Sequence, residues 1–511
     1  MPSAPSSAPA WARVIAVLVA ALALGWAALL NGQPFFHPDS IGYIRGPDVA
    51  VMKLAGETYG TVWAKFDPGS IDQRNATAAA SPATTASAAR TASYNDNEVM
   101  AGRSIYYGVL AYLGALAGGF WLTVFVQGLA VAWLTEIMLR AVGILRLSTY
   151  GLVMAIIALA TPAPFFVGFL MPDIWAGVAV GAVAVLFALP SRLKALDVAA
   201  LGAMTLFAAL AHNSVPPVVL ALMAVAIAVW FVRPRGASKP ALGLAVCTIA
   251  LLGALAGHLA FTVMVRHSAG RPPLMPPFLS ARVIADGTGT RFVRERCAGA
   301  FVVCRYGDRF PMSVDDFLWA SGPNQGVFDT ASSADRRALG TEQTRFALAV
   351  VRAYPLEQAL ASARNAAAQL VQTDLSDFNY KPSVAASLTA RMPPAFAWRL
   401  GHTRAYREAW PLGPLWAMQS ILVLAACGAA IGAGLHSRGP GAAPETRSAV
   451  GLFGFVVAGV VANGVVCGVL STLYGRYEAR VIWTLPLAAI ALLLVVMFPR
   501  GRAGGGSGGF A

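Results

Sequence analysis

The chain has 511 residues, of which 57% are hydrophobic and 12% charged, with a mean hydropathy of +0.62. That is too little polar surface to cover a soluble globule, so the composition requires a polytopic membrane protein. The formal net charge is +14, but Lys and Arg stand at the ends of apolar runs and not among aromatics in one soluble patch, which argues for membrane topology and against a nucleic-acid partner.

The first apolar run, 11–30, opens with Arg13 and is long enough to cross a ~30 Å hydrocarbon core. Asn31-Gly32-Gln33-Pro34 offers no small-x-small cleavage site, so the run reads as a retained helix and not a signal peptide. Directly beyond it lies Phe35-Phe36-His37-Pro38-Asp39-Ser40-Ile41-Gly42-Tyr43, in which a carboxylate sits beside a histidine and between aromatics. The rest of a long loop, 31–103, carries a surface helix expected over 47–65. It also carries an Ala/Thr/Ser tract at 75–93 without apolar periodicity, read as a mobile insertion. Asn75-Ala76-Thr77 within that loop matches the N-glycosylation pattern, a short match that is more often accidental than used. The short run at 104–117, behind Arg103, reads as an interfacial helix.

Runs at 120–139, 149–170, 174–189, 198–210, 215–232, 242–265, 415–435, 450–470 and 481–497 follow, which with the first predicts about ten spans. One set of span ends carries Arg13, Arg140, Arg146, Arg192, Lys194, Arg233, Arg235, Lys239, Arg438, Arg447, Arg500 and Arg502. The positive-inside rule makes these ends, and both termini, cytoplasmic. The opposite turns around Asp173 and His212 lack Lys and Arg.

The resulting organisation is an N-terminal membrane module (1–265), a small extracytoplasmic domain (266–410), a C-terminal membrane module (411–500) and a Gly-rich tail (501–511). Within the outer domain a helix is expected over 356–373, where apolar residues recur on a helical period after Pro355. Cys297 and Cys304 are its only cysteines. Outside the cytosol such a pair reads as a disulfide, and metal ligation is the weaker alternative because no histidine or second pair accompanies it.

By this topology Asp39, Asp173, His212 and the Tyr474-Gly475-Arg476-Tyr477-Glu478-Ala479-Arg480 segment all reach one side of the membrane. Interfacial carboxylates suit a general base or an electrostatic clamp. Asp173 could equally cap its helix, and His212 could be a hydrogen-bonding residue of its turn. Arg476 and Arg480, four apart on one helix face, are either anchors or a pair able to neutralise a lipid phosphate.

These residues resemble the motifs of GT-C-type membrane glycosyltransferases, in the branch similar to protein O-mannosyltransferases and the lipid A aminoarabinose transferase. The matching positions are Pro38-Asp39-Ser40 with Tyr43 after span one, Arg103-Ser104-Ile105-Tyr106-Tyr107 at the interfacial helix, Pro172-Asp173, and the polar turn His212 to Pro217. The family often has an acidic pair where this chain has Asp39-Ser40, and a lysine near His212. The resemblance implies an all-α GT-C-like fold that transfers a sugar from a polyprenyl-phosphate carrier to a glycan, lipid or protein acceptor on the outward face of a bacterial inner membrane. Asp39 and Asp173 would be catalytic, with Asp39 as base. His37, Tyr43, Arg103, His212, Arg476, Tyr477 and Arg480 would bind substrate, the arginines through phosphate, and a divalent metal is a possible cofactor. The alternative is a multi-pass transporter or flippase. It would place ionisable groups near the bilayer midplane, where this chain offers mainly Gln127, His258 and Asn463.

Overall fold

The structure is a computed structural model that describes residues 9–66, 99–232, 240–320, 325–436 and 443–498. The tract at 75–93 with its Asn75 sequon, the Gly-rich tail, and Arg233, Arg235, Lys239, Arg438, Arg500 and Arg502 lie outside the described residues. Among those described, every regular element is a helix, and two isolated β-bridges join Phe35 to Phe169 and Met100 to Leu274.

Seven helices are long and apolar enough to cross a membrane: Ala10–Asn31, Trp121–Val142, Val215–Val232, Ala241–Ala269, Leu412–Leu435, Pro444–Leu470 and Arg476–Met497. The other three expected spans form as the shorter apolar helices Leu147–Ala160, Asp173–Ala188 and Ala195–Ala211. The run at 149–170 is not one helix. Pro162 has no N–H to continue the ladder, and the chain restarts as the one-turn helix Ala163–Val167.

Asp173–Ala188 is the central helix, buried at every position from Asp173 to Phe187. Its run of Ala and Gly lets neighbours approach at backbone distance, as is usual in membrane packing. At Gly177 a Cβ would lie 2.5 Å from Trp483 Nε1 and 2.7 Å from the Arg480 carbonyl, so any side chain there would push the Arg480 helix away. At one end of the bundle Glu136 accepts from both Arg13 (3.2 Å) and Arg140 (3.0 Å), and Arg140 also pairs with Asp197 (2.7 Å). Three helix ends expected on one side thus meet in one ion-pair network.

The helix expected over 47–65 instead starts at Ser40 and runs to Ala55, with Pro47 inside it. It stops at Gly56, whose φ of 108° favours glycine. Its buried Asp48 then accepts from the backbone N–H groups of Thr61 (2.9 Å) and Ala64 (3.0 Å) and fastens the turn that follows. The helix expected over 356–373 forms as Pro355–Val371.

Two hydrophobic cores are present. The second gathers residues from Leu274 to Tyr354, including the bonded pair Cys297 and Cys304. Residues from Leu375 to Trp410 belong to the first core, that of the membrane bundle. The segment read from sequence as one outer domain, 266–410, is therefore shared between two cores.

Candidate functional site

The stretch that follows the first span is held from three directions. Phe35 donates its N–H to the Gly168 carbonyl (2.8 Å) and accepts from Leu170 N–H (2.9 Å), which ties it to the turn before Asp173. The Phe36 N–H donates to the Tyr380 hydroxyl (2.8 Å), and the Phe35 ring meets Phe378 edge-on at 5.0 Å. The Ser40 hydroxyl accepts from the His37 N–H (2.9 Å), turning the chain into the helix Ser40–Ala55 with Asp39 at its N-cap. Asp39 makes no side-chain cap bond, so its carboxylate is available elsewhere.

That carboxylate is taken by Arg103, which hydrogen-bonds Asp39 Oδ1 directly. Arg103 arrives through the Met100–Leu274 bridge and stands just before the helix Ile105–Leu116, whose N-cap Ser104 accepts from Tyr106 and Tyr107 N–H groups. On its other side Asp39 Oδ2 lies 3.8 Å from His37 Nδ1. Arg476 donates to His37 Nε2 at 2.5 Å and to Asp377 Oδ2 at 3.3 Å. The result is a continuous row of Arg103, Asp39, His37, Arg476 and Asp377. The side chains of Asp39 and Asp377 keep 27% and 28% exposure, so the row is partly open and is not a sealed core.

The Arg476 guanidinium packs against the Tyr474 and Tyr477 rings, 4.9 and 5.3 Å from their centroids. Arg103 lies over Trp319 at 5.6 Å, and the Tyr474 hydroxyl donates to Asp315 Oδ2 at 2.5 Å, so the helix Val314–Trp319, which gives Phe317 and Leu318 to the second core, forms part of the rim. Tyr43 sits behind the row with its ring edge-on to Tyr107 at 5.2 Å.

Beneath this row is a second, dry tier. Arg480, fully buried, pairs with Asp173 (3.2 Å), donates to His212 Nε2 (2.7 Å) and Ser214 Oγ (2.9 Å), and reaches Asn463 Oδ1 (3.3 Å). Asp173 is 1% exposed. Tyr477 connects the tiers, its ring 5.0 Å from the Arg480 guanidinium. Asp173 and Arg480 thus share a buried ion pair below the row, and His212 belongs to the same tier.

The electrostatics separate the two half-buried acids. Burial pushes Asp39 up, but Arg103, with His37 and Arg476, outweighs it and brings the carboxyl down to about 2. Asp377 is raised by burial, which its contact with Arg476 does not cancel. Burial and then Arg476 hold His37 well below the usual histidine range, so it is neutral at pH 7. His212 is lowered in the same way by burial and by Arg480.

A divalent metal does not fit these residues. Among those described, no group of three or more His, Cys, Asp or Glu is placed to hold one, and the carboxylate best positioned to do so is already neutralised by Arg103. A cavity of about 300 Å³, lined by Gln33, Phe36, Phe120, Trp121, Phe396 and Trp398 among others, shares Phe36 with the segment that carries the cleft.

Asp377, Asp315 and Trp319 escaped the sequence reading, which named Tyr474 only as the start of its polar segment. The signal for Asp377 was present: Asp374-Leu375-Ser376-Asp377-Phe378-Asn379-Tyr380 precedes a span with the same mixture of acid and aromatics that follows span one. Compared with family models, curated proteins and solved structures, the chain matches none.

Proposed function

We propose that the chain is a GT-C-type membrane glycosyltransferase that moves a sugar from a polyprenyl-phosphate donor to an acceptor hydroxyl on the extracytoplasmic face of a bacterial inner membrane. The seven long helices and three shorter apolar ones make about ten spans in this reading, and both termini are cytoplasmic. The observation that carries it is the row Arg103, Asp39, His37, Arg476 and Asp377, because glycosyl transfer from a phosphate needs a carboxylate and paired cations at one partly wet interface.

In the reaction the acceptor oxygen bonds the anomeric carbon while the bond from that carbon to the phosphate oxygen breaks, and the phosphate leaves with the electron pair. Asp39 takes the acceptor proton. Before donor binds, Arg103 neutralises Asp39. When the phosphate arrives, Arg103 and Arg476 turn part of their charge to it, and Asp39, freed from its partner, becomes a stronger base at the moment it is needed. His37, neutral, spaces Asp39 from Arg476, and Asp377 holds Arg476 against the cleft wall. Asp173 and Arg480 fix the helix Arg476–Ile482 from below. The polyprenyl tail stays among the spans. The test is consumption of polyprenyl-phosphate sugar by the reconstituted protein given candidate acceptors, with Asp39→Asn as control.

A further inference from the structure

The helix Ala241–Ala269 has 29 residues, a rise of about 43 Å against a hydrocarbon core of ~30 Å. Its exposed apolar side chains, Leu252, Leu255, Leu259, Val263 and Met264, end where Arg266 begins. The last turn therefore leaves the hydrocarbon with Arg266 at headgroup depth. Gly270, at φ 70°, ends the helix and folds the chain back. Arg271 then joins Arg266 on a groove of about 530 Å³ whose other wall is Arg337, from the helix Ser333–Ala353. Arg337 donates to the Pro272 carbonyl at 3.1 Å, which sets it on that wall. Pro272, Pro273 and Met275 supply an apolar shoulder, and none of the described residues lining the groove is acidic.

One arginine at a span end is an anchor for any headgroup. Three guanidinia brought to one groove from separate segments match the oxygens of a phosphate, which they can bind in bidentate fashion. They also stand at the helix end opposite the one the positive-inside rule assigns to cations. We propose that this groove is a site for the phosphate headgroup of an anionic phospholipid, its glycerol and first methylenes lying on Met275 and the two prolines. Leu274, in the groove wall, accepts from Ala101 N–H (2.7 Å) and donates to the Val99 carbonyl (2.7 Å), so a lipid here braces the segment that presents Arg103. The site stands independently of the glycosyltransferase reading.

The full chain is reconstituted in nanodiscs of phosphatidylcholine with a minor fraction of phosphatidylglycerol, and lipid retained on the protein after extraction is measured by native mass spectrometry. Phosphatidylglycerol is expected to be enriched in the wild type. Each basic side chain at an anionic surface contributes about fivefold, so the double variant Arg266→Ala, Arg271→Ala loses about 25-fold of that preference, while Arg266→Lys with Arg271→Lys keeps most of it. If the double alanine variant does not fold, Arg266→Gln and Arg271→Gln carry the test singly, each losing about fivefold. Equal retention of the two lipids by the wild type, or undiminished preference in the variants, overturns the proposal. Complete displacement of the lipid by inorganic phosphate would make this a site for a free anion and overturns it as well.

Discussion

Arg476 donates to His37 Nε2 at 2.5 Å across 439 positions of sequence, and through that bond the last membrane helix meets the loop that follows the first. The contact closes the bundle and sets the spacing between the Asp39 and Asp377 carboxylates. It is also why the cleft behaves as one electrostatic unit.

Arg476 is expected to act on the donor. Arg476→Ala removes a charge-assisted contact to the phosphate, worth about 1.5–3 kcal/mol, and raises the donor KM roughly ten- to hundredfold while the acceptor KM stays within a few-fold. Asp377→Asn loosens Arg476 without removing it and moves the donor KM in the same direction by less. Steady-state kinetics with each substrate varied in turn checks both. Equal loss for donor and acceptor would make Arg476 a structural residue.

The lower tier is expected to control stability. Removing one partner of a buried ion pair leaves an uncompensated charge, so Arg480→Ala or Asp173→Ala costs about 3–5 kcal/mol. Arg103→Ala, whose pair with Asp39 is partly exposed, costs less than either. Thermal unfolding in detergent, followed by near-UV circular dichroism, separates the two classes.

Acid sensitivity follows from Asp39. Its folded-state pKa of about 2 lies below the ordinary 3.8, so its contribution to stability is complete above pH ~4 and disappears as pH falls from there towards 2. Wild type is expected to lose more stability than Asp39→Asn over that interval, and the two profiles run parallel above it. His37, held neutral, adds no inflection between pH 6 and 7 to the rate of the wild type.

In protein isolated from its native membrane, peptide mass spectrometry is expected to find Cys297 and Cys304 joined. Reduction removes a constraint worth about 2–4 kcal/mol. Its effect falls on the core from Leu274 to Tyr354 and leaves the bundle core folded. Limited proteolysis with and without reductant reads the difference.

Much of the architecture was legible because membrane helices announce themselves by length and hydropathy, and charge at their ends orders them. Asp39, His37, Arg103 and Arg476 were legible for the same reason, since polar groups at span ends stand out against apolar runs. What sequence could not resolve was depth. Asp173 and Asp39 look alike beside their spans, yet the packing of Gly177 against Trp483 draws Arg480 over Asp173 and seals it. Pro47 suggested a helix start, but tertiary contacts carried the helix through it. The role of 375–410 was hidden because its aromatics pack on Phe35 and Phe36, a long-range relationship with no local period.

The most direct test is transfer by the reconstituted protein supplied with radiolabelled polyprenyl-phosphate sugar and a mixed acceptor pool, comparing wild type with Asp39→Asn. The account predicts donor consumption by wild type and a loss of at least about a hundredfold in Asp39→Asn, with the variant still folded at pH 7 by near-UV circular dichroism. Donor consumption by a well-folded Asp39→Asn at the wild-type rate, or none by wild type with any polyprenyl-phosphate sugar, would contradict it.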